Sequence, residues 1–479
     1  MQSQVKIFCC LALSITVLVG PMTQAADEKW QLITKAKVEK KSVTNLSQKS
    51  VQNSSSDSTK SNKIVIEPYS SAQGEVISSY FPLLTSIGES LWGWDPKKEA
   101  LTGREASPSE TKPNLSNIVV GQSPTTEAQR EPSNKFDELM KNLFVAFDIS
   151  NTEHFRKVWF QPKEGLKFRG LWAIHDFEKK RPLVILRMGI HGNVDEFIAE
   201  RFIGKILYDD LGLNVLILES LTSHAFLTSN KNISFGGIDE GLQTFFVLNE
   251  IKKSQFDNLV SSYHITALSM GGHGAFVTAL LDQANHHQLK SILQLCPLIN
   301  LKETFALHAT QGLNQTLIDL WNTRRLKSLF DLYGDRTEVQ GWWHSVLDLK
   351  PRFTNSVMKI LNEERKNPLL TVADMKALVD GMKWPAGFAE HLQNSNSFDE
   401  LNNFWSLYKG VKTPMMILTT PKDPLVPNEI NSEKIFRGQQ VGDFTSVKYH
   451  RLERGIHCGL APVYKWDYLV KMTKEGLEL

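Results

Sequence analysis

His264-Ile265-Thr266-Ala267-Leu268-Ser269-Met270-Gly271-Gly272-His273-Gly274-Ala275 passes from a β-branched run to a serine, then at once to glycines and a small-residue stretch. The pattern predicts a strand, a sharp turn and a helix, with the Ser269 hydroxyl lifted clear of a sheet edge. Such a turn brings the helix close to the strand, so the positions two before and two after the serine must be small. Ala267 and Gly271 meet that demand, although the usual pattern has glycine at both places. A short Ser/Gly motif also occurs in ordinary turns, and the flanking strand and helix are what make Ser269 a nucleophile here.

Working outward toward the C-terminus, Thr413 to Thr420 reads as a buried strand that runs into Pro421-Lys422-Asp423-Pro424-Leu425-Val426-Pro427. Val447 to Leu452 reads as another, followed by Gly455-Ile456-His457-Cys458-Gly459. A hydroxyl attacking near neutral pH needs a base that titrates near seven, and that base needs a carboxylate to hold its tautomer and stabilise its cation. His457 and Asp423 fit these roles, in the order serine, acid, histidine. Glu219, Glu453 and Asp239 do not combine a strand-end position with that order, and Asp239 reads as a helix N-cap. His273, one helical turn after Ser269, reads as a structural helix histidine.

Toward the N-terminus, Pro182 to Met188 is an apolar strand ending in Gly189-Ile190-His191-Gly192-Asn193. Acyl transfer needs two backbone N–H groups aimed at the developing oxyanion, one just after the nucleophile and one from this loop. Met270 and Asn193, or a neighbour of Asn193, are the expected donors, and His191 is expected to brace the loop.

These four separated motifs resemble those of α/β-hydrolase fold enzymes, over a stretch from about Phe155 to the C-terminus. The resemblance implies an α/β architecture: a mainly parallel eight-stranded sheet, helices on both faces, and a Ser-His-Asp triad carried by Ser269, His457 and Asp423. Some relatives place the acid one strand earlier, but here Ser291 to Leu295 ends in Cys296-Pro297-Leu298-Ile299-Asn300, without a carboxylate. Others carry His-Gly-Asn-Pro with an aspartate nucleophile and cleave carbon–halogen bonds; Ser269 and Val194 stand against that chemistry.

Leu301 to Lys412, between the sixth strand and Asp423, is predicted to be a helical cap inserted between strands 6 and 7. Helical patterns run at Leu313 to Leu332, Val357 to Glu364 and Val372 to Met382. Trp321, Trp342, Trp343, Trp384, Phe388 and Trp405 are expected to divide between packing the cap and lining an acyl pocket.

The 479 residues exceed one catalytic domain, so an extension is expected. Residues 1–25 read as an export signal: Lys6, an apolar run from Ile7 to Val19, then Gly20 to Ala26. The run is short for a membrane span, and an uncleaved anchor is the alternative. Residues 26–133 read as a largely disordered extension, since Asp27 to Lys63 is rich in Ser, Lys, Asn and Gln. Within it, 76–94 carries apolar residues at helical spacing, able to dock on the enzyme or touch a membrane surface. The hydrolase domain is placed at 134–479. The 54 Lys+Arg against 52 Asp+Glu give a net charge of +2, which leaves no footprint for a nucleic-acid partner.

Beyond the export signal only Cys296 and Cys458 remain, with a disulfide and two buried thiols both open. His286-His287 lacks further ligands at suitable spacing, so no metal and no cofactor is expected. The reading is an exported serine hydrolase of ester, thioester or lipid acyl bonds, acting through an acyl-enzyme and found in the periplasm or secreted. An acyltransferase on the same triad and a non-catalytic binding protein on a hydrolase scaffold are the alternatives.

Overall fold

The structure, a computed structural model, describes residues 63–68, 128–130 and most of 149–479. Within the last stretch it leaves out 196–199, 309–330, 334–358, 361–381, 421–422 and the single positions 232, 235, 396, 404, 424 and 456. The proposed export signal and the segment 76–94 lie outside the described residues, as do Trp321, Trp342 and Trp343 of the expected cap.

Nine strands form one sheet in the order β1-β2-β3-β5-β4-β6-β7-β8-β9. They are β1 (Lys63–Pro68), β2 (Phe155–Lys163), β3 (Leu166–Ala173), β4 (Arg181–Arg187), β5 (Asn214–Leu218), β6 (Val260–Leu268), β7 (Leu289–Leu295), β8 (Met415–Thr419) and β9 (Val447–Arg451). The first three strands pair antiparallel, and β3 meets β5 the same way. From β5 to β9 every pairing is parallel. Parallel strands need crossover connections that cover both faces, so their sequences are apolar throughout rather than alternating. Val-Ile-Leu in β4 and Met-Met-Ile-Leu in β8 are buried on both sides accordingly. This mainly parallel sheet with its β5-β4-β6 reversal is the α/β-hydrolase fold, with one more edge strand than the expected eight.

The long helices α1 (Gly237–Lys253) and α2 (Met270–Asn285) pack on one face, where Phe245, Phe246, Phe276 and Ile265 share one apolar core. A second core on the other face gathers Leu186, Ile217, Leu293 and Leu418 with Leu469 and Met472 of α3 (Trp466–Gly476). Gly241 lets α1 and α2 touch: a Cβ there would stand 2.4 Å from the Cβ of Val277.

The expected boundary at 134 does not hold. Lys63 to Pro68 pairs along β2 from Gln161 to Arg156, and Ile64 and Ile66 pack on the core beneath. Ala128 to Arg130 is also part of this domain. Gln129 bridges Tyr464, and the Arg130 amide donates to the carbonyl of Val463 at 2.8 Å. The side chain of Arg454, three residues before His457, donates to the Arg130 carbonyl at 2.9 Å. Both pieces therefore support the sheet from within the region expected to be disordered.

At the end of β4, Arg187 faces Glu240 of α1 across 3.1 Å, both fully buried. Gln243 Oε1 accepts a second guanidinium hydrogen at 2.6 Å, and the Ser220 hydroxyl donates to Glu240 at 3.2 Å. Burial raises the Glu240 carboxyl above its ordinary range, against the pull of Arg187.

Two predictions follow from this packing. A protein beginning at Asn134 loses β1 and the 128–130 contacts, so its thermal midpoint should fall well below that of one beginning near Ser61; equal melts would deny β1 a role in stability. Glu240→Leu alone leaves Arg187 uncompensated and should cost about 3–5 kcal/mol in denaturant unfolding, whereas Arg187→Met with Glu240→Leu should recover most of that loss.

Candidate active site

Ser269 follows β6 and caps α2 with φ 51° and ψ −119°, a backbone conformation an L residue adopts only when its surroundings impose it. The imposing contact is visible at Gly271. A Cβ there would lie 2.7 Å from the Met188 carbonyl oxygen and 2.8 Å from that of Arg187, so only glycine lets α2 close on β4. Gly272 meets Pro297 in the same way. The Ser269 side chain stays slightly accessible, 8 % exposed, at the mouth of an otherwise buried turn.

Met270 follows as the first residue of α2, and its N–H is one of the amides that helix geometry leaves without an intrahelical acceptor. The residue of the β4 loop that abuts the serine is Gly189: a Cβ built on it would lie 3.3 Å from Ser269 Cβ and 3.8 Å from Oγ. Asn193, the expected second oxyanion donor, is buried four residues further on, and its Oδ1 accepts the amide of Asp195 at 3.0 Å. Ile190, adjacent to Gly189, packs in the same apolar cluster as Met270.

The rest of this loop is pinned from outside. Glu219 accepts the Val194 amide at 2.9 Å and pairs with Arg169 at 2.6 Å; Arg169 and Lys157 each reach Asp195 at 2.6 Å. His191, at φ 63°, donates its amide to the Thr222 hydroxyl at 2.9 Å, and its Nδ1 lies 3.2 Å from the Thr222 carbonyl.

Asp423 stands beyond β8 with its side chain fully buried. One carboxylate oxygen accepts the amides of Leu425 and Val426, both at 2.9 Å. The other lies 2.7 Å from His457 Nδ1. A carboxylate held this way by two N–H groups fixes which imidazole nitrogen carries the proton, the arrangement in which Nε2 is able to accept one. Burial opposes the imidazolium, but the charge and hydrogen bond of Asp423, with smaller help from Cys296 and Glu200, hold His457 above its ordinary value.

The competing acids are engaged elsewhere. Glu219 holds Arg169, and Glu453 accepts the Gln129 side chain at 2.9 Å. Asp239 accepts the Ser234 hydroxyl, and burial carries its carboxyl up to about 6. Asp239 is not the N-cap: Gly236 caps α1, and Asp239 lies in its first turn. His273 is buried against Gly237 and edge-on to Tyr408, and desolvation lowers it to about 3, so it stays neutral.

Glu200 is a charged neighbour of His457 that sequence patterning does not reveal. Its half-buried carboxyl is raised by desolvation, against hydrogen bonds from its own amide and that of Gly189, and it acts electrostatically on His457. It sits in no periodic stretch and no motif. The segment between β7 and β8 also reaches this edge. Leu301, Phe305, Leu332, Tyr333, Ile360 and Phe398 cluster with Met270. Trp384 instead stacks on Phe388, 6.3 Å between rings, against the core beside α2, away from any pocket role.

No protein-family profile matches the chain, and no curated protein does. Solved structures of similar shape include an acylaminoacyl peptidase from Pyrococcus horikoshii, 13 % identical, with a TM-score of 0.39 over 75 % of this chain and 46 % of that one. The chain thus matches under half the length of that peptidase. The esterase Pf2001 of Pyrococcus furiosus is 13 % identical, with a TM-score of 0.40 over 68 % of this chain and 91 % of that one. An esterase of Pyrobaculum calidifontis is 13 % identical, with a TM-score of 0.38 over 69 % of this chain and 85 % of that one.

The raised His457 sets an expected pH dependence for any reaction that uses it as a base. Only the neutral imidazole accepts a proton, so the rate falls as pH drops through the folded pKa, and that acid limb should lie above about 6.5. Asp423→Asn removes the largest raising influence. The limb should move to lower pH while the plateau rate collapses, as a pH profile of kcat/KM would register.

Proposed function

We propose that the protein is an exported serine hydrolase of carboxylic esters, with thioesters and lipid acyl esters within reach of the same chemistry. The observation that carries the reading is the buried Asp423–His457 pair at 2.7 Å on the sheet edge that also holds the strained Ser269. In the proposed reaction His457 Nε2 takes the proton of Ser269 Oγ as the oxygen attacks the ester carbonyl. The imidazolium is stabilised by Asp423. The amide of Met270 and that of Ile190 bind the oxyanion; this reassigns the second donor from Asn193, because Gly189 is the loop residue lying against Ser269. His457 then protonates the departing alcohol, and a water molecule activated by the same base releases the acid and restores Ser269.

The apolar cluster around Met270 supports an acyl pocket covered by the 301–412 segment, which we take to be a cap. The Lys6, Ile7–Val19 and Ala25 pattern supports export, with the remaining N-terminal stretch available for contact with the cell envelope. Burial of each further methylene favours binding by roughly 0.8 kcal/mol, enough to rank acyl chains.

The test is fluorophosphonate labelling of the full-length chain, with Ser269→Ala as control, followed by p-nitrophenyl esters of rising length. Labelling confined to the wild type and rates rising from acetate toward octanoate are expected. Labelling that survives in Ser269→Ala would refute the nucleophile, and a preference for acetate would refute the acyl pocket.

A further inference from the structure

β7 ends at Leu295, and the two residues there tie together three parts of the site. The Leu295 carbonyl accepts the amide of Ser269 at 3.0 Å and the thiol of Cys458 at 3.1 Å. The sulfur of Cys296 accepts the amide of Cys458 at 3.0 Å. The amide of Cys296 in turn donates to the carbonyl of Leu418 on β8 at 2.7 Å, and its sulfur lies 3.7 Å from the Thr420 hydroxyl. Cys458 directly follows His457, while Leu418 and Thr420 lead to Asp423.

The backbone here needs such ties. Cys296, His457 and Cys458 all have positive φ, at 45°, 24° and 59°, and none of them is glycine. Residues in that region hold their conformation only when surrounding contacts over-determine it. Among the described residues, the contacts that do so for the histidine turn include both sulfurs, and both are buried.

We propose that Cys296 and Cys458 are positioning residues: as a reduced pair they set the height of His457 over the elbow, referring base and nucleophile to the single carbonyl of Leu295. The inference rests on the serine-hydrolase reading above. Burial pushes the Cys458 thiol well above its ordinary value, so it keeps its proton and remains a donor. Against desolvation, the interaction with Cys458, its amide hydrogen bond included, holds the Cys296 thiol lower, as suits an acceptor. Serine at 458 keeps a donor on a shorter bond to its side-chain atom, whereas alanine keeps none.

The experiment compares Cys458→Ala, Cys458→Ser and Cys296→Ala in the full-length protein. Active sites are counted by fluorophosphonate titration carried to completion. Loss of the tie should lower kcat per titrated site roughly ten- to hundredfold in Cys458→Ala and Cys296→Ala, the scale on which misplacing a catalytic group by about 1 Å acts. KM should stay within about twofold, and Cys458→Ser should recover part of the rate, the split expected when only transition-state geometry suffers. The downfield proton resonance of the His457–Asp423 bond should shift in the same variants.

Cys296→Ala removes the sulfur acceptor while leaving residue 458 unchanged, and decides the matter if Cys458→Ala fails to fold. Wild-type kcat per site with an unmoved resonance in Cys296→Ala overturns the inference, as does a loss in Cys458→Ala that Cys458→Ser does not mitigate. A wild-type protein that takes up no fluorophosphonate instead overturns the reading beneath it.

Discussion

The approach of α2 to β4 is the constraint on which the rest depends. With a Cβ at Gly271 barred by two carbonyl oxygens, the chain passes from β6 into α2 through the strained positive-φ conformation of Ser269. That conformation costs of order 1–3 kcal/mol and is sustained by close packing on both sides, Gly272 against Pro297 and Gly241 against Val277. The hydroxyl is thus presented by backbone geometry, and it makes no capping hydrogen bond to α2.

Parallel pairing then gathers everything else at one edge. β4, β6, β7, β8 and β9 all run the same way, so Gly189, Ser269, Cys296, Asp423 and His457 leave the sheet on the same side. In open parallel sheets such carboxyl ends, where strand order reverses, form the crevice in which ligands bind. Charges buried behind this edge, Arg187 with Glu240 and Arg169 with Glu219, hold the β4 loop from beneath.

Much of this was legible in the chain because the decisive signals are local. Ser269 declares itself through Ala267 and Gly271, and Asp423 and His457 through apolar runs that stop in Pro- and Gly-rich turns. The strands β4 and β7 to β9 were readable within a residue or two, and β6 at its C-terminal end, for the same reason. What was not legible depends on partners distant in sequence. Asn193 follows a His-Gly pair and looks like the oxyanion donor, but only the packing of β4 on α2 shows that Gly189 lies against Ser269. Glu200, the Arg187–Glu240 pair and the Cys458–Leu295 contact leave no mark on local periodicity. β1 escaped because Ile64-Val65-Ile66 is too short an apolar run, next to Pro68 and a long polar tract, to signal a strand without β2 beside it.

The attachment of β1 across the chain from Pro68 to Phe155 makes the sheet's outer edge a problem in polymer statistics. Closing a flexible loop costs entropy that grows only with the logarithm of its length, about 0.6 kcal/mol for each doubling. The residues between β1 and β2 are therefore under little thermodynamic pressure to keep a particular length, apart from the 128–130 anchor. Lengthening or shortening that tract severalfold should cost little stability as long as the pairing of β1 with β2 is kept. The price falls on folding speed, because an antiparallel edge pair so far apart in sequence can form only after the chain between has been gathered in.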